Sequence, residues 1–102
     1  MLSLRRLSRA NRQRCEENSS SLDEWSPTDW ATALAGKTGD VCNLIVKMRK
    51  GDKIDPNDVG REIADLVIYA DLLSSRLGID LEKAVVQKFN ESSTRQGSEV
   101  LL

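Results

Sequence analysis

Residues 55–78 have the sequence DPNDVGREIADLVIYADLLSSRLG, and this segment carries the start and stop signals of one long helix. Asp55 can cap the helix, Pro56 suits the first helical position, and Gly78 follows the last apolar residue. At about 100° per residue, the apolar side chains fall on two different sides of the helix. Because a helix that is apolar on more than one side is normally buried, this segment is predicted to be the central helix of the fold.

Two carboxylates interrupt the apolar character of this helix. Glu62 and Asp65 lie one turn apart, with Tyr69 a further turn along, whereas Asp71 points away from Glu62 and is given no role. Carboxylates at this spacing project from adjacent turns and can converge on a hard cation such as Mg²⁺. Salt bridges to arginines, or a partly exposed helix edge, explain them equally well. The residues alone leave both explanations open.

Composition restricts the classes of function. The chain has 102 residues, which suits one domain with a small core. Its fifteen basic and sixteen acidic residues nearly cancel, so nucleic acid is not an expected partner. Two distant cysteines and no histidine argue against zinc sites, disulfide frameworks and Ser-His or Cys-His nucleophiles. No apolar run is long enough to span a membrane, and a reduced, cytoplasmic protein is expected.

The N-terminal region is locally basic. Residues 3–17 are predicted to form an amphipathic helix that serves packing and solubility, and residues 17–24 are predicted to form a loop. The alternative for the first residues is a mitochondrial presequence, because they are rich in arginine and serine and contain no acids. Five arginines precede the first acidic residue: Arg5, Arg6, Arg9, Arg12 and Arg14.

Two further helices follow from similar signals. Ser26, Pro27 and Asp29 predict a capped helix start, and the helix is expected to run to about Arg49. Lys37 lies in the centre of its apolar stripe, and Asp40 follows one turn later. The last helix begins after a cap at Asp80. The expected fold is therefore an all-α antiparallel bundle of about four helices, in which short loops join neighbouring antiparallel helices.

Two segments resemble a known family. Residues 29–52, DWATALAGKTGDVCNLIVKMRKGD, and residues 61–95, REIADLVIYADLLSSRLGIDLEKAVVQKFNESSTR, are similar to MazG-like nucleotide pyrophosphohydrolases, particularly the short single-domain bacterial and phage type. The resemblance covers residues 25–97, with residues 1–24 as an arginine-rich helix and loop and 98–102 as a tail. It implies Mg²⁺-dependent hydrolysis of nucleoside triphosphates to monophosphate and pyrophosphate, with Mn²⁺ as a substitute ion. It also implies a homodimer or a dimer of dimers.

The resemblance assigns roles to the charged residues. Glu62 and Asp65 match the family's ExxD motif, and Asp40 is a conservative match to the last acid of the preceding motif, so these three are the implied metal ligands and catalytic residues. Lys37 stands where the family has a metal-binding glutamate. Either Lys37 contacts a substrate phosphate in a working enzyme, or the chain is a catalytically impaired nucleotide-binding or regulatory homologue. A purely structural helical dimer is the third hypothesis.

The resemblance also implies substrate contacts outside the acidic motif. Trp30 is a candidate to stack on a nucleobase, with ordinary core packing as the alternative. Lys47, Lys88 and Asn90 resemble residues that contact phosphate or sugar, although Asn90 requires a helix end, an unwound turn or a neighbouring subunit to reach a site. The two apolar sides of the central helix predict that a symmetric dimer completes the bundle and buries Ile68 and Leu72.

Overall fold

The regular structure is entirely helical in residues 1–18 and 22–102, which are the residues that the computed structural model describes. Four α-helices follow one another: α1 at Leu4–Glu17, α2 at Pro27–Arg49, α3 at Pro56–Arg76 and α4 at Leu81–Gln96, with a 3₁₀ turn at Leu22–Glu24. The predicted all-α fold with about four helices is confirmed. The predicted loop at residues 17–24 ends in this 3₁₀ turn, and its residues 19–21 lie outside the described residues.

The helix starts are held by the predicted caps. The Ser26 hydroxyl accepts a hydrogen bond from the Asp29 N–H, and the Asp29 carboxylate accepts one from the Ser26 N–H. The carboxylate of Asp55 accepts from the Asn57 N–H in the same way at the start of α3. Such side-chain caps satisfy backbone donors that have no partner inside the helix. Gly78 ends the turn after α3 at a φ of 71°, a left-handed conformation that favours glycine.

The helices α2 and α3 form the main antiparallel pair, and residues 50–55 connect them. The core lies at the N-terminal end of α2, where Leu22, Trp30 and Leu72 are buried together. The indole N–H of Trp30 donates to the carbonyl of Leu22 at 3.0 Å, which satisfies its polar atom inside the core. Helix α1 packs on α3, and among the described helices α4 contacts α1 and α3 but not α2.

A polar network joins α1 to α3 at Asp71, which is fully buried. The Ser8 hydroxyl donates to one carboxylate oxygen, and the Asn11 amide donates to the other at 2.9 Å. The same amide also donates to the Ile68 carbonyl at 3.2 Å. Asp71, which has no predicted role from its position in the sequence, is therefore the polar anchor of α1.

The chain leaves an unusually large area exposed. Its accessible surface is 7460 Å², whereas a compact monomer of this mass has about 5,800 Å². Its radius of gyration is 16.1 Å, against about 13 Å for a compact chain of this length. The predicted interface position of Leu72 is wrong, because Leu72 is buried within the chain and Ile68 packs beside it. The large apolar side chains of α3 that remain exposed are Ile63 and Val67.

No helix within the described part of the chain is both long enough and apolar enough to cross a membrane.

Candidate functional site

The two halves of the acidic motif meet between α2 and α3. The ammonium nitrogen of Lys37 lies 3.7 Å from a carboxylate oxygen of Asp65, and these side chains are 29% and 45% exposed. The same nitrogen lies 5.1 Å from the ring centroid of Tyr69, within the range of a cation–π contact. Lys37 is therefore held against α3 by two separate contacts. Since α2 and α3 are antiparallel, this contact also defines how their turns are aligned.

The antiparallel alignment of α2 and α3 also determines the relative positions of the other two acids, Asp40 and Glu62. Asp40 lies one turn after Lys37 on α2, and Glu62 lies one turn before Asp65 on α3. Because the helices run in opposite directions, one turn along α2 corresponds to one turn back along α3, so Asp40 and Glu62 lie at the same level. Asp40 is exposed and Glu62 partly exposed, and neither forms an ion pair with another described residue.

These acids do not form a ready metal site. Among the residues that the structure describes, no three histidine, cysteine, aspartate or glutamate side chains are close enough together to hold a metal ion. Asp65 instead has the ammonium of Lys37 as its partner. The face still carries three carboxylates and one ammonium, a net charge of about −2 at neutral pH. It therefore attracts cations without enclosing one.

A pocket of about 230 Å³ with an aromatic wall lies between α1 and the α2–α3 pair. The rings of Trp25 and Trp30 are 4.5 Å apart between centroids, and those of Trp30 and Tyr69 are 6.3 Å apart. Tyr69 borders both this pocket and Lys37. Helix α1 supplies the more polar wall, which consists of Asn11, Arg14, Cys15 and Asn18. We call this cavity the aromatic pocket.

Trp30 lies deep in the aromatic pocket rather than at its surface. It is buried, its N–H is bonded to Leu22, and it lies between Trp25 and Tyr69. This arrangement accounts for Trp30 as a core residue, and its stacking on a base stays a prediction. Trp25, which is more exposed, presents the accessible ring. Trp25 gives no signal in the sequence as a site residue, because it precedes the helix cap and belongs to no periodic stripe.

Of the remaining predicted contacts, Lys88 and Asn90 are not brought to this face within one chain. Lys47 is exposed on α2, and Lys88 pairs with Glu91 on its own helix at 3.5 Å. The amide oxygen of Asn90 accepts from the Leu102 N–H at 2.8 Å, and its amide nitrogen donates to the Leu102 carbonyl. Since α4 does not contact α2, Lys88 and Asn90 lie apart from Lys37.

Comparison of the chain with protein-family models, curated proteins and solved structures finds no match.

Proposed function

We propose that this protein is a nucleoside triphosphate pyrophosphohydrolase of the MazG-like type, which cleaves between the α and β phosphates. The observation that supports it most directly is the contact between Lys37 and Asp65. That contact aligns the two motif segments on one face, as the resemblance requires. The aromatic pocket adds a place for a planar base, and Tyr69, which lines this pocket, also contacts Lys37.

The donor set suits magnesium that arrives with the nucleotide. Mg²⁺ keeps several waters and is usually bound through one or two carboxylates together with substrate phosphates, so a three-carboxylate cage is not needed. Asp40 and Glu62 would hold the ion, because they lie at the same level and have no cationic partner in the described part of the chain. When bound, Mg²⁺ or Mn²⁺ would neutralise charge on the phosphate oxygens.

Side chains of the protein itself supply the remaining roles: phosphate binding, proton transfer and base binding. Lys37 donates from its ammonium to a phosphate oxygen, and Tyr69 beneath it limits its movement. Glu62 accepts a hydrogen bond from the attacking water and takes its proton, a role that falls to a carboxylate because the chain has no histidine. Water adds to one phosphorus of the α–β anhydride, and the bridging oxygen leaves with the other phosphorus, which gives monophosphate and pyrophosphate. The base lies in the aromatic pocket, against the exposed ring of Trp25.

A nucleotide-binding or regulatory homologue without catalysis is the second candidate. It is favoured by the same ion pair, because Lys37 already balances Asp65 without any metal. In that case the ammonium still attracts phosphate, while the third acid is unavailable for chemistry. The two candidates differ in turnover and share nucleotide binding.

We also propose that a second copy completes the fold, as a homodimer or a dimer of dimers. The chain exposes roughly 1,700 Å² more than a compact monomer, which lies in the range that one partner contributes to an obligate homodimer. Exposed apolar side chains recur at helical spacing on α2 and α3: Ile45, Met48, Ile63 and Val67. A partner subunit is also a source of Lys88 and Asn90 for the charged face.

A turnover assay tests the catalytic proposal. Each nucleoside triphosphate is incubated with the protein and Mg²⁺, and monophosphate and pyrophosphate are followed by phosphorus NMR. We expect both products, and Glu62→Gln should lower the rate at least about 100-fold, the usual contribution of a general base. The matched control is Asp52→Asn. It also replaces a carboxylate with an amide, but at an exposed loop residue outside the proposed site.

The outcomes separate the hypotheses. Nucleotide binding by calorimetry without product supports the regulatory homologue. Absence of both binding and product rules out both candidates and leaves a structural helical dimer.

The proposed dimer is tested separately. Val67→Glu should lower the mass measured by analytical ultracentrifugation, whereas Lys83→Glu, at an exposed polar position, should not. A monomeric wild-type protein at micromolar concentration would contradict the proposed dimer.

A further inference from the structure

A second charged cavity lies along α1. It is a groove of about 420 Å³ between α1 and the turn that joins α3 to α4. We call it the arginine groove, and its lining residues are Arg5, Ser8, Arg9, Arg12, Ser75, Gly78, Ile79 and Asp80. It shares no lining residue with the aromatic pocket and does not include Lys37, Asp40, Glu62 or Asp65.

The arginine groove has more positive charge than its own acids offset. Arg5 is paired with Asp80 at 3.1 Å and with Glu82 at 3.2 Å. Arg9 and Arg12 have no carboxylate within 4.0 Å in residues 1–18 and 22–102. Like charges three or four residues apart on a helix repel each other. An anion between Arg9 and Arg12 removes that repulsion.

The arginine side chains of the groove favour a phosphate group as the bound anion. A guanidinium presents parallel N–H donors that match two oxygens of a phosphate group, and such charge-assisted bonds are among the strongest in proteins. Ser75 also lines the groove, and a serine hydroxyl is a further hydrogen-bond donor for a phosphate oxygen. The volume falls within the range of about 300–1,000 Å³ that is typical of small-molecule sites.

We propose that the arginine groove binds a phosphate group of a small phosphorylated molecule, held chiefly by Arg9 and Arg12. A single-stranded nucleic acid is disfavoured, because no aromatic side chain lines the groove to stack on bases and the whole chain has a net charge of −1. The proposal is independent of pyrophosphohydrolysis, since the groove and the α2–α3 face have no residue in common.

Inorganic pyrophosphate without any divalent cation is the first probe. The Lys37→Met variant serves as the background, so that binding at the α2–α3 face does not contribute. Calorimetry in EDTA should give saturable binding at one site per chain. Adding Arg9→Gln and Arg12→Gln should weaken that binding at least about tenfold, because the ligand loses two charge-assisted contacts.

A second pair of substitutions with the same change in charge distinguishes a specific binding site from general electrostatic attraction. Arg6→Gln with Arg95→Gln removes two positive charges from exposed positions outside both the groove and the aromatic pocket, and should change the affinity less than about twofold. Equal weakening by both pairs would overturn the proposal, as would the absence of saturable binding to the background protein. A single-stranded DNA 12-mer is the last probe, and tighter binding of this DNA than of pyrophosphate at equal salt would also overturn it.

Discussion

Replacing Lys37 with glutamate should convert the ion pair between α2 and α3 into a metal-dependent contact. The 3.7 Å separation from Asp65 corresponds to about 1 kcal/mol in water, and exposed pairs contribute about 0.2–1 kcal/mol. Exchanging this attraction for a repulsion of similar size should lower the free energy of unfolding by about 1–2 kcal/mol in EDTA. Magnesium at about ten times its dissociation constant should then restore about 1.4 kcal/mol.

Urea denaturation at a fixed protein concentration, in EDTA and in Mg²⁺, measures both effects. Lys37→Met is the control, because it removes the attraction without adding a carboxylate. It should lose at most about 1 kcal/mol, and Mg²⁺ should stabilise it less than it stabilises Lys37→Glu, because it has one carboxylate fewer. If Lys37→Glu is as stable as wild type in EDTA, or if Mg²⁺ stabilises the Met and Glu variants equally, then Lys37 does not stand where a metal ligand would converge with the acids.

Two further predictions concern α1 and α4. Asp71→Ala should cost about 2–4 kcal/mol in urea denaturation, because it removes a buried acceptor from Ser8 and Asn11; a double-mutant cycle with Asn11→Ala should show coupling, and additive losses would contradict the network. The pKa of Asp80 is lowered, first by the bond from the Lys83 N–H and then by the Arg5 guanidinium. A carboxyl whose pKa falls on folding contributes stability above its unfolded pKa and loses it as pH drops through the folded value. The difference in the free energy of unfolding between wild type and Asp80→Asn should therefore shrink below about pH 4. A difference that stays constant with pH would show that the ionised Asp80 carboxylate is not its source.

The helix boundaries could be predicted because the signals are local. A capping side chain reaches a backbone N–H only two or three residues away, so Ser26, Asp55 and Asp80 act within their own turns. Proline at the first helical position and glycine after the last turn work over the same short distance. None of these interactions depends on where the other helices lie.

The charged face was only partly predictable. Helical periodicity places Lys37 in an apolar stripe and puts Glu62 and Asp65 on adjacent turns, which suggests an inward site. The partner of each charge depends on how far α2 slides along α3, and periodicity does not determine that offset. The ion pair of Lys37 with Asp65, and the lack of a three-acid group among the described residues, follow from the packing of the helices.

The sequence by itself determined the four helices, their ends and the residues that the resemblance associates with nucleotide chemistry. Only the tertiary structure decided that α1 is anchored at Asp71, that Trp25 and Arg14 share a pocket, and that Leu72 is buried within the chain. Ser8 and Asn11 lie about sixty residues from Asp71 along the chain, and contacts at that separation leave no periodic pattern. They arise because burying a carboxylate is unfavourable unless other elements supply hydrogen-bond donors, and the choice of those elements is made by packing.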